Sequence, residues 1–166
     1  MLNPAPATEL NDELLSLVTW LIPNEQEASM ETHLPLRADA DGSIHTDLQK
    51  IAASLWDKGV ENVVITLGGR GSAVVSADSL HYLPCVTMDH VADPTAAGDS
   101  FVGELAVGVT MGLPNAQALE LATYTAAITV SRMGAMPSLP TLAEVMALMR
   151  ERNYQGFDLS LLDVLK

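Results

Sequence analysis

The run Asp93-Pro94-Thr95-Ala96-Ala97-Gly98-Asp99-Ser100-Phe101 sets small residues and a carboxylate directly ahead of an apolar periodicity, in which Phe101, Leu105 and Val109 recur four apart. The pattern predicts a helix that begins near Gly98 and ends before Gly112. The first turn of a helix carries backbone N–H groups without partners, its dipole favours negative charge, and Ala and Gly let an anion approach the backbone closely. Asp99 has two readings here. It complements the dipole, or it is a general base that takes a proton from a substrate hydroxyl while the N–H groups of Ala97, Gly98 and Asp99 hold charge developing on a transferred phosphoryl group. Elsewhere, Asn24 with Glu27 three residues on has the spacing of a capping box. Gly68, Gly69 and Gly71 read as a turn between strands, and Asp93 and Ser138 suit hydrogen bonds within turns.

These residues need elements to position them. Leu14, Leu15 and Val18 predict a short helix over 11–18, Trp20-Leu21-Ile22 a brief strand stopped by Pro23, and residues 24–32 a second helix start. Residues 34–42 read as a loop. Over 45–57 the apolar positions Leu48, Ile51, Ala52, Leu55 and Trp56 form one helical face, with Gly59 placed for a left-handed cap. Residues 62–67, Asn-Val-Val-Ile-Thr-Leu, are a β-branched run with little alternation, as in a parallel strand covered on both faces. Residues 72–76 and 80–83 suit an antiparallel hairpin, so the sheet is expected to be mixed. Leu119, Ala122, Ala126 and Val130 mark a helix after Pro114, and 141–150 another. The tail 153–166, with Leu159, Leu161, Leu162, Val164 and Leu165, is expected to dock or fray. The whole is α/β, read as one body over 1–150 and a tail over 151–166.

Composition excludes several function classes. A chain of 166 residues with 48% hydrophobic content can bury a core, and a net charge of −13 repels phosphate-bearing surfaces, which argues against nucleic acid and membrane partners. Cys85 is the only cysteine, so neither an intrachain disulfide nor a cysteine metal cluster is encoded. No apolar run approaches the roughly 20 residues needed to span a bilayer, and the sequence reads as cytoplasmic.

Five stretches, in order, resemble the ribokinase-like, pfkB-type carbohydrate kinases: Asn3-Pro4-Ala5-Pro6-Ala7, Pro23-Asn24-Glu25-Gln26-Glu27-Ala28, Ile65-Thr66-Leu67-Gly68-Gly69-Arg70-Gly71, the run from Asp93 to Phe101, and Arg132-Met133-Gly134-Ala135-Met136-Pro137-Ser138. The resemblance extends nearly unbroken to Ser138. It implies a Rossmann-type, three-layer ribokinase-like fold, of which this chain would supply the carboxy-terminal portion of the sheet, its flanking helices and a hairpin. It also implies ATP-dependent phosphorylation of a sugar hydroxyl, ribose or a relative, with Asp99 as catalytic base beside an anion hole at Ala97 and Gly98. Asn24 and Glu27 match the family's Asn-x-x-Glu motif, which helps to organise Mg2+ and the nucleotide phosphates. Thr66, Gly68 and Gly71 match its nucleotide loop. Asp93, Gly134 and Ser138, with the backbone of Thr95 and Arg132, match positions around an activating monovalent cation, K+. Thr123 falls where the family has a histidine near the adenine, a departure that leaves the base contacts open.

Members of this family are close to twice as long, roughly 300 residues, one fold above the usual domain mode. Their amino-terminal half carries the sugar-binding Asp, Gly-Gly and Asn residues and a β lid, which nothing here resembles. The expectation is a half-kinase that self-associates or pairs with an amino-terminal half-kinase partner. The alternatives are a truncated, non-catalytic nucleotide-binding remnant and a fragment that completes another subunit.

Overall fold

The structure, a computed structural model, describes residues 1–38, 42–156, 158 and 162. The chain divides into two compact units, Met1–Pro84 and Cys85–Lys166.

The first unit is a four-stranded sheet with helices. Asn11 caps α1 (Asp12–Leu15) by accepting from the Leu14 N–H at 2.7 Å. The helix is shorter than its periodicity suggested: Leu15 and Val18 are buried, but Leu14 is exposed and adds nothing to that face. Next come β1 (Trp20–Leu21), α2 (Glu25–Thr32), α3 (His45–Asp57), β2 (Asn62–Thr66), a 3-10 turn (Gly68–Arg70), β3 (Ser72–Val75) and β4 (Leu80–Leu83). The strand order is β1-β2-β3-β4, with β1 parallel to β2 and the other pairs antiparallel, the expected mixed sheet. Leu2 extends the sheet beyond β1, donating to the Trp20 carbonyl at 2.7 Å and accepting from the Ile22 N–H at 2.9 Å. The interior position of β2 accounts for its unbroken β-branched run, since Val63, Val64 and Ile65 are all fully buried.

On one sheet face, Leu21, Val63, Ile65, Ala73 and Val75 join Leu48, Ile51, Ala52 and Leu55 of α3 in one core. Each such side chain contributes about 1.5–3 kcal/mol when fully buried. Gly59 ends α3 with φ 98°, and a Cβ there would come 2.8 Å from the Ser16 Cα, so both its conformation and its surroundings require glycine.

The second unit is helical: α4 (Ala97–Thr110), α5 (Asn115–Val130), a 3-10 turn (Met136–Ser138) and α6 (Leu142–Glu151). Gly108 lets α4 approach α5, since a Cβ on it would meet the Ala118 Cβ at 2.9 Å. Leu121 and Ile128 of α5 pack with Val145, Met146 and Met149 of α6, and Leu162 is buried in the same cluster. Leu159, Leu161, Val164 and Leu165 of the tail lie outside the described residues. Among the described residues no helix is long and apolar enough to cross a membrane.

Candidate functional site

The residues singled out by sequence fall into two groups, one in each unit. In the first unit, Pro23-Asn24 follows β1 and Thr66 ends β2 ahead of Leu67, at the carboxyl ends of two parallel strands, where open α/β sheets bind ligands. Pairing holds these ends together: Asn24 bridges Thr66, whose N–H donates to the Pro23 carbonyl at 3.0 Å. The Gly68–Arg70 turn then folds back, with Gly68 at φ 55° and Gly71 at φ 109°, and the Leu67 N–H donates to the Gly71 carbonyl at 2.8 Å. Arg70 reaches the Glu25 carboxylate at 3.0 Å, which ties this turn to the start of α2. Asn24, Glu27, Thr66, Gly68 and Gly71 are thereby brought together.

Glu27 is buried and serves the capping box that its spacing suggested. Its Oε2 accepts from the Asn24 N–H at 2.8 Å, while Asn24 Oδ1 accepts from the N–H groups of Gln26 and Glu27 at 2.9 and 3.0 Å. Sequence reasoning missed Ser72, the register partner of Thr66, whose buried Oγ has no hydrogen-bond partner among the described residues. A buried polar atom left unsatisfied is uncommon enough to mark a position. Its only sequence signal was a hydroxyl opening a strand beside the glycine turn.

In the second unit, the α4 amino terminus is built differently. Its cap residue, Ala96, sits at φ 63° and ψ 5°, a left-handed conformation costing an L-residue roughly 1–2 kcal/mol, and it supplies no side-chain cap. The Ala97 N–H donates to the Pro94 carbonyl at 3.2 Å and the Ser100 N–H to the Ala96 carbonyl at 2.9 Å. The N–H groups of Gly98 and Asp99, between them, meet no acceptor among the described residues. Asp99 is exposed in that first turn. A Cβ built on Gly98 meets nothing within 4 Å, so an anion can reach the backbone there.

The loop ahead of α4 is fixed by Asp93. One carboxylate oxygen accepts from the Thr95 N–H at 2.9 Å and the other from the Gly134 N–H at 3.0 Å. These bonds, led by those from Thr95, hold its carboxyl below the usual carboxylate range. The structure thus joins the Asp93–Thr95 loop to the Gly134 loop across 41 residues of sequence. Ser138 is fully buried and donates to the Ala135 carbonyl at 2.6 Å. The Arg132 guanidinium turns to Glu144 at 2.6 Å and, with the Thr141 contacts, lowers that carboxyl to about 2. Thr123 lies inside α5, buried, its hydroxyl donating to the Leu119 carbonyl at 2.8 Å. Among the described residues no three His, Cys, Asp or Glu side chains gather to hold a metal. Any ion here would depend on single carboxylates, backbone carbonyls and a ligand's own oxygens.

Comparison with known proteins accords with this geometry. The family model for pfkB family carbohydrate kinases matches residues 1–142. A ribokinase of Schizosaccharomyces pombe is 37% identical over 146 residues, covering 87% of this chain and 45% of the relative. Among solved structures, the ribokinase of Thermotoga maritima superposes with a TM-score of 0.77 at 34% identity, covering 89% of this chain and 48% of its own. Arabidopsis thaliana ribokinase, solved with ribose and ATP, gives 0.79 at 29% identity, covering 87% of this chain and 45% of its own. The chain spans about half the length of the curated ribokinases it matches. With a mixed sheet flanked by helices and TM-scores of 0.77 and 0.79 to solved ribokinases, the fold is ribokinase-like, and the chain belongs to the pfkB family of carbohydrate kinases.

Proposed function

We propose that this chain contributes the nucleotide site, anion hole and catalytic base of an ATP-dependent kinase acting on a sugar hydroxyl, ribose or a close relative. The observation that carries the reading is the open first turn of α4, where the Gly98 and Asp99 N–H groups meet no acceptor among the described residues and the Asp99 carboxylate is exposed in the same turn. Asp99 takes the proton of the acceptor hydroxyl. The oxygen forms its bond to the γ-phosphorus as the bond from that phosphorus to the β,γ-bridging oxygen breaks, and ADP leaves with the electron pair. The Gly98 and Asp99 N–H groups bind the equatorial oxygens, where charge is spread in the transition state. Asn24, Thr66, Gly68 and Gly71 orient the nucleotide at the strand ends.

The residues fit the two ions this reading implies. Glu27 has one carboxylate oxygen committed to its cap and the other outside any hydrogen bond among the described residues, which suits a water-mediated Mg2+ contact. Asp93 and Ser138, with the carbonyls of Thr95, Arg132 and Gly134, form an all-oxygen donor set for K+. Bound there, the ions would supply positive charge to the polyphosphate and the anion hole. The reading includes residues outside these 166, from the same polypeptide, a second copy or an amino-terminal half-kinase, completing the sugar site.

In the active assembly, Asp99→Asn should keep MgATP affinity and lower turnover at least about a hundredfold, the low end for a lost general base. Unchanged turnover would end the assignment. Measurable MgATP binding with no turnover in any assembly would favour the non-catalytic alternative.

A further inference from the structure

The carboxyl ends of β1 and β2 pose an electrostatic problem for an anionic ligand. The chain carries a net charge of −13, which repels a polyphosphate. Of the groups brought together there, the Asn24 amide, the Thr66 hydroxyl and the backbone N–H groups carry no net charge, and Glu27 is an acid. The first unit has four Lys or Arg residues, Arg37, Lys50, Lys58 and Arg70. Lys50 donates to Asp47 at 3.1 Å, Lys58 donates to Glu31 at 2.9 Å, and the Arg37 backbone N–H donates to the same Asp47 at 2.9 Å. Arg70 alone of the four stands on the Gly68–Arg70 turn, beside Thr66 and Gly71.

The backbone and the side chain of Arg70 are held differently. Its carbonyl accepts from the Tyr82 hydroxyl at 2.6 Å and its N–H donates to the Leu67 carbonyl at 3.1 Å, so the backbone is tied to β4 and to the residue after β2. The guanidinium rests on the Glu25 carboxylate at 3.0 Å, and the two side chains are 45% and 38% exposed. An ion pair that exposed is weak, because water screens it and two long side chains lose freedom to form it. Glu25 also sits in the first turn of α2, where the helix dipole favours an acid with or without a cation beside it. A Cβ built on Gly68 or Gly69 meets nothing within 4 Å, so space lies open beside the turn.

A polyphosphate offers Arg70 more than Glu25 does. The planar guanidinium fork matches two phosphate oxygens at once, and the charge it meets is larger than that of one carboxylate.

We propose that Arg70 is an exchangeable latch: its guanidinium leaves Glu25 and clamps the polyphosphate of a nucleoside triphosphate, while Tyr82 keeps the backbone of the turn in place. Glu25 then competes with the ligand for Arg70. The inference rests on the kinase reading above for the nucleotide, and it adds Arg70 as a binding residue and Glu25 as its competitor.

The test is calorimetric titration of the full chain with MgATP, for wild type, Arg70→Gln, Glu25→Gln and the double variant, each with a thermal melt in the absence of nucleotide. The two single variants should move in opposite directions: Arg70→Gln weakens MgATP binding about tenfold, and Glu25→Gln strengthens it about two- to fivefold. In the double variant the gain from Glu25→Gln should be lost, because the cation for which Glu25 competes is gone. Melting temperatures should stay within about 2 °C of wild type, as for an exposed ion pair. If Glu25→Gln weakens binding as Arg70→Gln does, the pair only holds the turn in shape and the latch is overturned. An equal gain in the double variant would mean plain repulsion by Glu25, which also ends the exchange. Unchanged affinity in Arg70→Gln overturns the latch and leaves the kinase reading in place, whereas a wild-type chain that binds no MgATP counts against the nucleotide reading itself, and the latch falls with it.

Discussion

Among the described residues four helices carry an acid three residues after the cap; Asp47 of α3 turns away to the Arg37 N–H and Lys50, and two of the other three treat theirs in the same way. In α2 Glu27 reaches back to the Asn24 N–H at 2.8 Å, and in α6 Glu144 reaches back to the Thr141 N–H at 2.7 Å, each completing a capping box. In α4 the equivalent acid is Asp99, one methylene shorter, and the cap is Ala96, which has no acceptor side chain and a left-handed backbone. No reciprocal bond forms, and among the described residues the carboxylate and two N–H groups meet no partner. A carboxylate in a first helical turn is therefore uninformative by type and position alone. Its cap decides whether the helix uses it internally or leaves it to another partner, as Asp47 of α3 is left to Arg37 and Lys50.

The sharpest way to break this contrast is to block the open end without harming the helix. Gly98→Ala adds a methyl group where nothing lies within 4 Å, and it improves helix propensity by up to about 1 kcal/mol. Thermal stability should hold or rise while MgATP affinity falls at least tenfold, about 1.4 kcal/mol. Equal affinity would mean that phosphate does not approach this turn. Next, Asn24→Ala should cost about 1 kcal/mol in denaturant titration through loss of the α2 cap. A cost near zero would show that the box is not what holds that end.

A smaller effect, under about 1 kcal/mol and stabilising, is expected from Ala96→Gly, because glycine adopts the left-handed conformation without penalty. Destabilisation there would mean that the Ala96 methyl packs usefully. The smallest concerns pH. The Glu144 carboxyl is lowered from 4.5 to about 2, first by Arg132 and then by Thr141, so its contribution is complete above about 4.5 and fades as pH falls toward about 2. Carboxyl titration followed by NMR should find Glu144 protonating well below an ordinary glutamate. A midpoint near 4.5 would remove Arg132 and Thr141 as partners.

Much of this was legible in the sequence. The apolar spacing of Leu48, Ile51, Ala52 and Leu55 gave α3, and the unbroken Val63-Val64-Ile65 run reported a strand buried on both faces. Asn24 and Glu27 could be read as a cap from spacing, because capping boxes are local. Thr141 and Glu144 carry the same local signature. The left-handed turn at Ala96 was not legible, since alanine does not favour it and only surrounding structure holds it there. The Asp93–Gly134 hydrogen bond joins loops far apart in sequence, and only resemblance to a family placed them together.

The most direct test of the central claim is calorimetric titration of MgATP into the chain in potassium buffer, comparing wild type with Gly98→Ala. The account predicts binding by wild type and at least tenfold weaker binding by the variant, with equal or greater thermal stability. Wild-type binding that the variant leaves unchanged would contradict the claim that the open turn of α4 receives the phosphates.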